Sequence, residues 1–260
     1  ESFQKSPDAE AYLMLGRAYF YAEMDSNSIM ALQYAIKYDS LLAEPHFFLG
    51  LLNVYADDVQ NAELEFRKAI ELDDTDIAYF IELGEVLESK DEPQNALLIY
   101  KSALELEEDN FSANFNSGSI LFNMGNMDEA EKFYKAALKT KPNDINTHYN
   151  LGQMYQNQNQ YNLALRHFEN VIGLDNSEWS AISKVVQLNQ ALGNIEERDI
   201  AIDKIYQIWK DGNAQELNER GFYIREQFIK DKDRIFVLEY FELSGDRPRK
   251  YVFKLQGRDS

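Results

Sequence analysis

Five glycines stand 34 residues apart, at Gly16, Gly50, Gly84, Gly118 and Gly152, with no insertion between them; a sixth step lands on Val186. Other columns keep the same register. One residue before each glycine run Leu15, Leu49, Leu83, Ser117, Leu151 and Val185, and twelve after it run Ser28, Ala62, Ala96, Ala130, Ala164 and Arg198. Sixteen after come Leu32, Phe66, Tyr100, Tyr134, Phe168 and Ile202; nineteen after come Ala35, Ala69, Ala103, Ala137, Val171 and Ile205. A period of this length marks a repeat architecture, in which each unit is one supersecondary element that cannot bury its apolar face alone.

Within a repeat the apolar residues follow helical spacing on both sides of a polar break. In the fifth, Tyr149, Leu151, Gly152 and Tyr155 precede the break at Asn157–Gln160, and Ala164, Phe168 and Val171 follow it. Each repeat therefore reads as two amphipathic helices. Helix starts are expected at Pro7-Asp8, Thr75-Asp76, Asn143-Asp144 and Asn176-Ser177, where side-chain oxygens can cap free N–H groups. Pro93 falls in the first turn of another helix, where its missing N–H costs nothing. The glycine and alanine columns fit the places where paired helices cross most closely.

These columns resemble the tetratricopeptide-repeat family over about residues 9–210, most clearly in the runs at 146–176 and 122–142. The resemblance implies a mostly α fold, a right-handed α-solenoid of six helix-turn-helix repeats. The sixth repeat, with Val186 for glycine and Arg198 for alanine, departs as a capping or degenerate pair would. It also implies a concave groove, lined by the first helix of each pair, that holds an extended peptide or a partner helix. The groove-facing residues carried over are Leu13, Arg17, Phe20 and Tyr21, then Phe47, Leu51, Val54 and Tyr55. The third repeat supplies Ile81, Glu82, Glu85 and Glu88; the fourth Phe115, Asn116, Ser119, Phe122 and Asn123; the fifth Asn146, Tyr149, Asn150, Gln153 and Asn157. The first half is aromatic and apolar, and the later half is rich in amides that can bind a peptide backbone. A clamp for chaperone C-terminal carboxylates needs several cations, and this groove has only Arg17.

Charge narrows the partner. The chain carries a net −19, and residues 1–210 hold 35 Asp and Glu against 16 Lys and Arg, so the excess lies wholly on the repeats. Between Asp57 and Asp109 the count is 17 acids to 4 bases. Such a surface repels phosphate backbones, which argues against nucleic acid, and would draw in a basic partner with a salt-dependent on-rate. The same charge also serves solubility. No run approaches the roughly 18 apolar residues of a membrane span. A soluble protein is therefore expected, with the cytoplasm favoured; the start at Glu1 rather than Met keeps export as the alternative, and a chain without cysteine suits either a reducing or an oxidising compartment. The sequence does not indicate an oligomeric state.

Catalytic signals are missing. His46, His148 and His167 read as scattered, no spacing set suits a metal, and no phosphate-binding loop or nucleophile motif occurs, so no cofactor and no enzymatic activity are expected. After Trp209 the helical period stops. Phe222–Ile229, Ile235–Leu243 and Lys250–Leu255 read as a three-stranded antiparallel meander, giving a small β-rich domain at 211–260. A sheet this small needs cover. Docking on Ile202, Ile205, Ile208 and Trp209 is expected, through a face carrying Tyr251, Phe253 and Leu255. Entry into the groove through Arg247, Arg249 and Lys250 is the competing arrangement. The leading functional expectation is a non-catalytic scaffold that binds a protein or peptide in the groove. The alternative makes the repeats a holder for the β-rich domain, acting as a ligand-binding or accessory-subunit module.

Overall fold

The computed structural model describes residues 7–176 and 178–208 and three strand segments; for Pro7, Trp179, residues 206–208 and the strands it describes the backbone. Twelve helices lie among the described residues: α1 (Pro7–Tyr21), α2 (Asp25–Tyr38), α3 (Glu44–Tyr55), α4 (Val59–Leu72), α5 (Ile77–Ser89), α6 (Pro93–Leu106), α7 (Phe111–Asn123), α8 (Met127–Thr140), α9 (Ile145–Asn157), α10 (Tyr161–Leu174), α11 (Trp179–Leu192) and α12 (Ile195–Ile208). They fall into two compact units, residues 1–142 and 143–260. In the first, α1 to α8 form four successive pairs; in the second, α9 pairs with α10 and α11 with α12. Within the first unit α1 also packs on α3 and α3 on α5, which sets these first helices side by side.

The glycine column has a direct steric cause. A Cβ built on Gly50 would stand 2.5 Å from Phe66, on Gly84 2.3 Å from Tyr100, on Gly118 2.8 Å from Tyr134 and on Gly152 2.8 Å from Phe168. The residue sixteen places later in the same repeat thus fills the space a side chain would need. Leu32, Phe66, Tyr100, Tyr134 and Phe168 are fully buried there. The alanine columns are equally closed, from Ala62 and Ala69 in the second repeat to Ala164 in the fifth. Ser28 keeps its alanine seat because its hydroxyl donates to the Gly16 carbonyl at 2.8 Å. Ser117, in a column otherwise of leucine and valine, is buried, and its hydroxyl has no partner among the described residues.

A further 34-residue column appears only in the backbone. Glu23, Asp57, Asp91, Gly125, Asn159 and Gly193 all adopt positive φ, between 56° and 81°, in the turn between the two helices of each pair. The next residue reaches back to close the first helix, as when Asp58 N–H donates to Asn53 C=O at 2.9 Å and Glu92 N–H to Leu87 C=O at 2.9 Å. This is the left-handed helix ending that satisfies otherwise orphaned carbonyls. At the other end of the pairs, Asp76, Asn110 and Asp144 cap α5, α7 and α9, and Asp58 caps α4. The expected start at Asn176-Ser177 is corrected: Glu178 caps α11 by accepting from Ser180 N–H at 3.2 Å, and Ser177 lies outside the described residues.

Beyond Ile208 the described backbone consists of β1 (Phe222–Phe228), β2 (Arg234–Glu242) and β3 (Arg249–Gln256), paired antiparallel in the order β1-β2-β3. Phe222 stands opposite Tyr240, and Leu238 opposite Phe253. The side chains expected to dock this sheet, including Ile208, Trp209, Tyr251, Phe253 and Leu255, and the basic Arg247, Arg249 and Lys250, lie outside the described residues. Ile202 and Ile205, read from sequence as a face awaiting cover, are 2% and 1% exposed. They occupy columns whose members are fully buried in the five preceding repeats.

Candidate functional site

The face shared by α1, α3, α5 and α7 begins with aromatic side chains. Phe20 stacks on Tyr55 with centroids 5.7 Å apart and meets Phe48 edge-on at 5.1 Å. Tyr21 and Tyr55 occupy the same repeat position and are 72% and 71% exposed, unusual for so large a side chain. Phe47 lies between Phe66 and Tyr79, at 5.9 and 5.0 Å. Arg17 pairs with Glu44 at 3.0 Å.

On α5 the surface turns acidic. Glu82, Glu85 and Glu88 rise from successive turns, open to solvent on one side and walled on the other. Burial raises each carboxyl above its ordinary value, aided at Glu82 by the charge of Glu85 and at Glu85 by that of Glu88. Among the described residues no basic side chain pairs with any of the three. Two neighbours soften the effect: Tyr100 donates its phenol to Glu88 at 2.7 Å, and Asn116 hydrogen-bonds Glu85. Asn116 Nδ2 also donates to the Tyr100 oxygen at 3.1 Å. Burial, followed by Glu88, pushes the Tyr100 phenol well up, so it remains a neutral donor. The second helix α6 thus delivers a hydroxyl through the pair to the acidic row, and the hydroxyl ties α5 to α7.

The fourth repeat repeats the device. Tyr134 donates to Ser119 at 3.2 Å, and Ser119 donates to the Phe115 carbonyl at 3.0 Å. Phe115 stacks on Phe111 at 5.8 Å; Phe122 is half-buried and Asn123 exposed. In the second unit, Tyr149 meets Phe168 edge-on at 5.4 Å, Asn150 and Gln153 are half-buried, and Asn157 is exposed at the end of α9. Of the residues expected from sequence, the first unit thus brings together Phe20, Tyr21 and Tyr55 with the apolar Phe47, and places Asn116 against the acidic row.

Sequence reasoning missed the contributions of the second helices. Tyrosine rather than phenylalanine at 100 and 134, in a column otherwise apolar, was the available signal. The histidines are not scattered. His46 and His148 share one repeat position; His46 Nδ1 lies 2.6 Å from Glu65, and His148 Nδ1 lies 3.0 Å from His167 Nδ1. Among the described residues no group of three or more His, Asp or Glu could hold a metal ion, and no helix is long and apolar enough to cross a membrane.

Residues 109–177 match the family model described as tetratricopeptide repeat. Residues 109–177 carry tetratricopeptide repeats. Solved structures agree at the level of the fold. One is YrrB, described as a TPR protein with an unusual peptide-binding site, at 25% identity and TM-score 0.61, covering 68% of this chain and 91% of that one. PilF of Pseudomonas aeruginosa matches at 17% identity and TM-score 0.65, covering 82% and 97%. A MamA protein matches at 21% identity and TM-score 0.59, covering 66% and 93%. No curated protein matches the chain. The tetratricopeptide repeats here thus sit on a mostly α architecture shared with these proteins.

Proposed function

We propose that the chain is a non-catalytic scaffold whose tetratricopeptide repeats, about residues 9–210, hold a segment of a basic protein partner against the face formed by the first helices. In this reading six repeats build a right-handed solenoid, the sixth degenerate, and residues 211–260 form a separate β-rich domain. The observation that carries it is the row Glu82, Glu85 and Glu88. Three carboxylates stand on successive turns, Glu82 half-buried and Glu85 and Glu88 exposed, each raised above its ordinary value, and no basic side chain among the described residues pairs with them. Like charges clustered without a cation repel one another, and a ligand's opposite charge relieves that cost. Exposed aromatics at Tyr21 and Tyr55 on one side, and the amides of Asn116 and Asn123 on the other, supply apolar and backbone contacts for the same segment. In the second unit, the half-buried Asn150 and Gln153 and the exposed Asn157 offer amides of the same kind. YrrB, a repeat protein of this fold described as having a peptide-binding site, supports the same use of the architecture.

The test is fluorescence anisotropy with a labelled amphipathic peptide of lysine, arginine and leucine, at low and high salt. Affinity should fall as ionic strength rises, and should fall about tenfold in the double variant Glu82→Gln, Glu85→Gln, the equivalent of losing one well-placed charge contact. Equal affinity for wild type and variant at both salt concentrations would remove the basis for this function. Affinity capture with the intact chain then names the natural partner.

A further inference from the structure

At the N-terminal ends of α3 and α5 a pocket of about 620 Å³ opens between the first three helical pairs. One guanidinium already occupies part of it. Arg17 pairs there with Glu44 and lies over the Phe48 ring at 5.8 Å from its centroid. Among the described residues Arg17 is the only basic one lining the pocket, whereas the opposite wall carries Asp73 and Asp76. Each of these aspartates uses Oδ1 internally. Asp73 Oδ1 accepts from Thr75 N–H and Oγ1 at 3.0 and 2.6 Å, and these bonds hold its carboxyl below the ordinary value. Asp76 Oδ1 caps α5 by accepting from Ala78 N–H at 3.0 Å. Oδ2 of each has no protein partner among the described residues.

A second, independent sign comes from Tyr79, which lines the same wall. The residue is only 4% exposed, and its ring packs on Phe47, yet its hydroxyl has no hydrogen-bond partner among the described residues. Unlike the sealed Ser117 hydroxyl, this oxygen is not shut off from solvent; it is the exposed tip of an otherwise buried side chain that lines the pocket. Burial, then the charges of Asp76, Glu44 and Asp73, push this phenol up to about 12, which places three carboxylates around it.

We propose that this pocket receives the guanidinium of an arginine in the partner segment, seated between the free oxygens of Asp73 and Asp76 and the hydroxyl of Tyr79. These acceptors line one pocket, which suits a planar fork of five donors better than the compact head of a lysine. Arg17 on Glu44 and Phe48 shows the same chemistry performed by the chain's own arginine. The inference rests on the reading of the first-helix face as a surface for a basic segment, and adds the residue type and its seat.

Amide NMR titration of the full chain with N-acetyl-arginine amide tests it, beside the neutral citrulline analogue and N-acetyl-lysine amide. Saturable shifts at the amides of Asp73, Asp76 and Tyr79 are expected with the arginine compound. Asp76→Asn keeps a capping oxygen and Tyr79→Phe keeps the ring; each should weaken binding by about tenfold or more, the scale of one hydrogen bond to a charged group. Equal affinity for citrulline or lysine, unchanged binding in both variants, or no saturable shift at all would overturn the assignment. Shifts confined to Glu82, Glu85 and Glu88 would overturn it too, while leaving the wider reading standing. Arginine binding in the pocket without salt-sensitive binding of the basic peptide would support the pocket and sink the wider reading.

Discussion

Replacing Gly84 by Ala sets two opposing effects against each other at a single atom. Alanine in a helix is favoured over glycine by about 1 kcal/mol. Against this, the new Cβ would stand 2.3 Å from Tyr100 Cε1 and 2.5 Å from Cζ. Tyr100 cannot swing aside cheaply, because it is fully buried and its hydroxyl is tied to Glu88 and Asn116. Overpacking of this kind costs about 1–3 kcal/mol, and a ring fixed at its far end belongs at the upper limit, so the net loss should be about 2 kcal/mol. Gly16→Ala meets Cδ2 and Cγ of Leu32 at 2.7 and 2.8 Å and its backbone nitrogen at 3.3 Å, a milder overlap with a side chain not tied at its far end, and should lose less. Gly173 has nothing within 4 Å, so Gly173→Ala should gain up to about 1 kcal/mol. Urea unfolding followed by circular dichroism ranks the three, and native-state hydrogen exchange localises the loss at Gly84 to α5 and α6, since a repeat array need not unfold as one unit. A Gly84→Ala protein as stable as wild type, or a Gly173→Ala protein destabilised to the same degree, would refute the steric reasoning.

Asp57→Gly and Asp91→Gly should each stabilise by about 0.5–1 kcal/mol, because φ near 58° strains a residue with a Cβ. Gly125→Ala, at φ 81°, should do the reverse; thermal melts check all three. Ser117→Ala should stabilise by about 1 kcal/mol, since it removes a buried hydroxyl with no partner among the described residues; an unchanged or lower melting temperature counts against that account. The raised carboxyls of Glu82, Glu85 and Glu88 make the folded chain hold more protons than the unfolded chain between the ordinary glutamate value and their own. Their contribution to stability therefore falls as pH rises through that window, with the full penalty above it. Glu82→Gln with Glu85→Gln should stabilise at neutral pH and shrink that fall, while Asp73 and Glu63, both lowered, act in the opposite sense in both proteins. Parallel urea midpoints from pH 4 to 8 would exclude the effect.

The repeat was legible because buried seats demand side-chain sizes, and size repeats along the chain as plainly as it does in space. Gly84 and Tyr100 could be aligned with Gly50 and Phe66 by counting. The positive-φ column escaped because its residues, Glu23, Asp57, Asp91 and Asn159 beside two glycines, share a backbone angle and no single side-chain type. The acidic row was visible as composition, but its isolation from cations was not, since Lys90 is diverted to Glu63 and Glu92 and Arg67 to Glu63. No column or motif in the sequence singled out Tyr79. That its hydroxyl shares a pocket wall with Asp73 and Asp76 is something neither spacing nor residue type reveals. His148 and His167 were read on different helices and come together only through the crossing angle of α9 and α10.

Each of the five column glycines is covered by the side chain sixteen places later in its own repeat, with no closer atom from a neighbouring repeat. The decisive fit is therefore carried inside a block, and a block can travel. A 34-residue segment excised just before one first helix and spliced in at the same phase elsewhere would bring its own lock and key. A cut placed between Gly84 and Tyr100 would part them, and a chimaera joining Gly84 to Leu32, or Gly16 to Tyr100, would have to fit a mismatched filler. For recombination, natural or engineered, the permitted joints in this chain are thus the turns that end one repeat and begin the next.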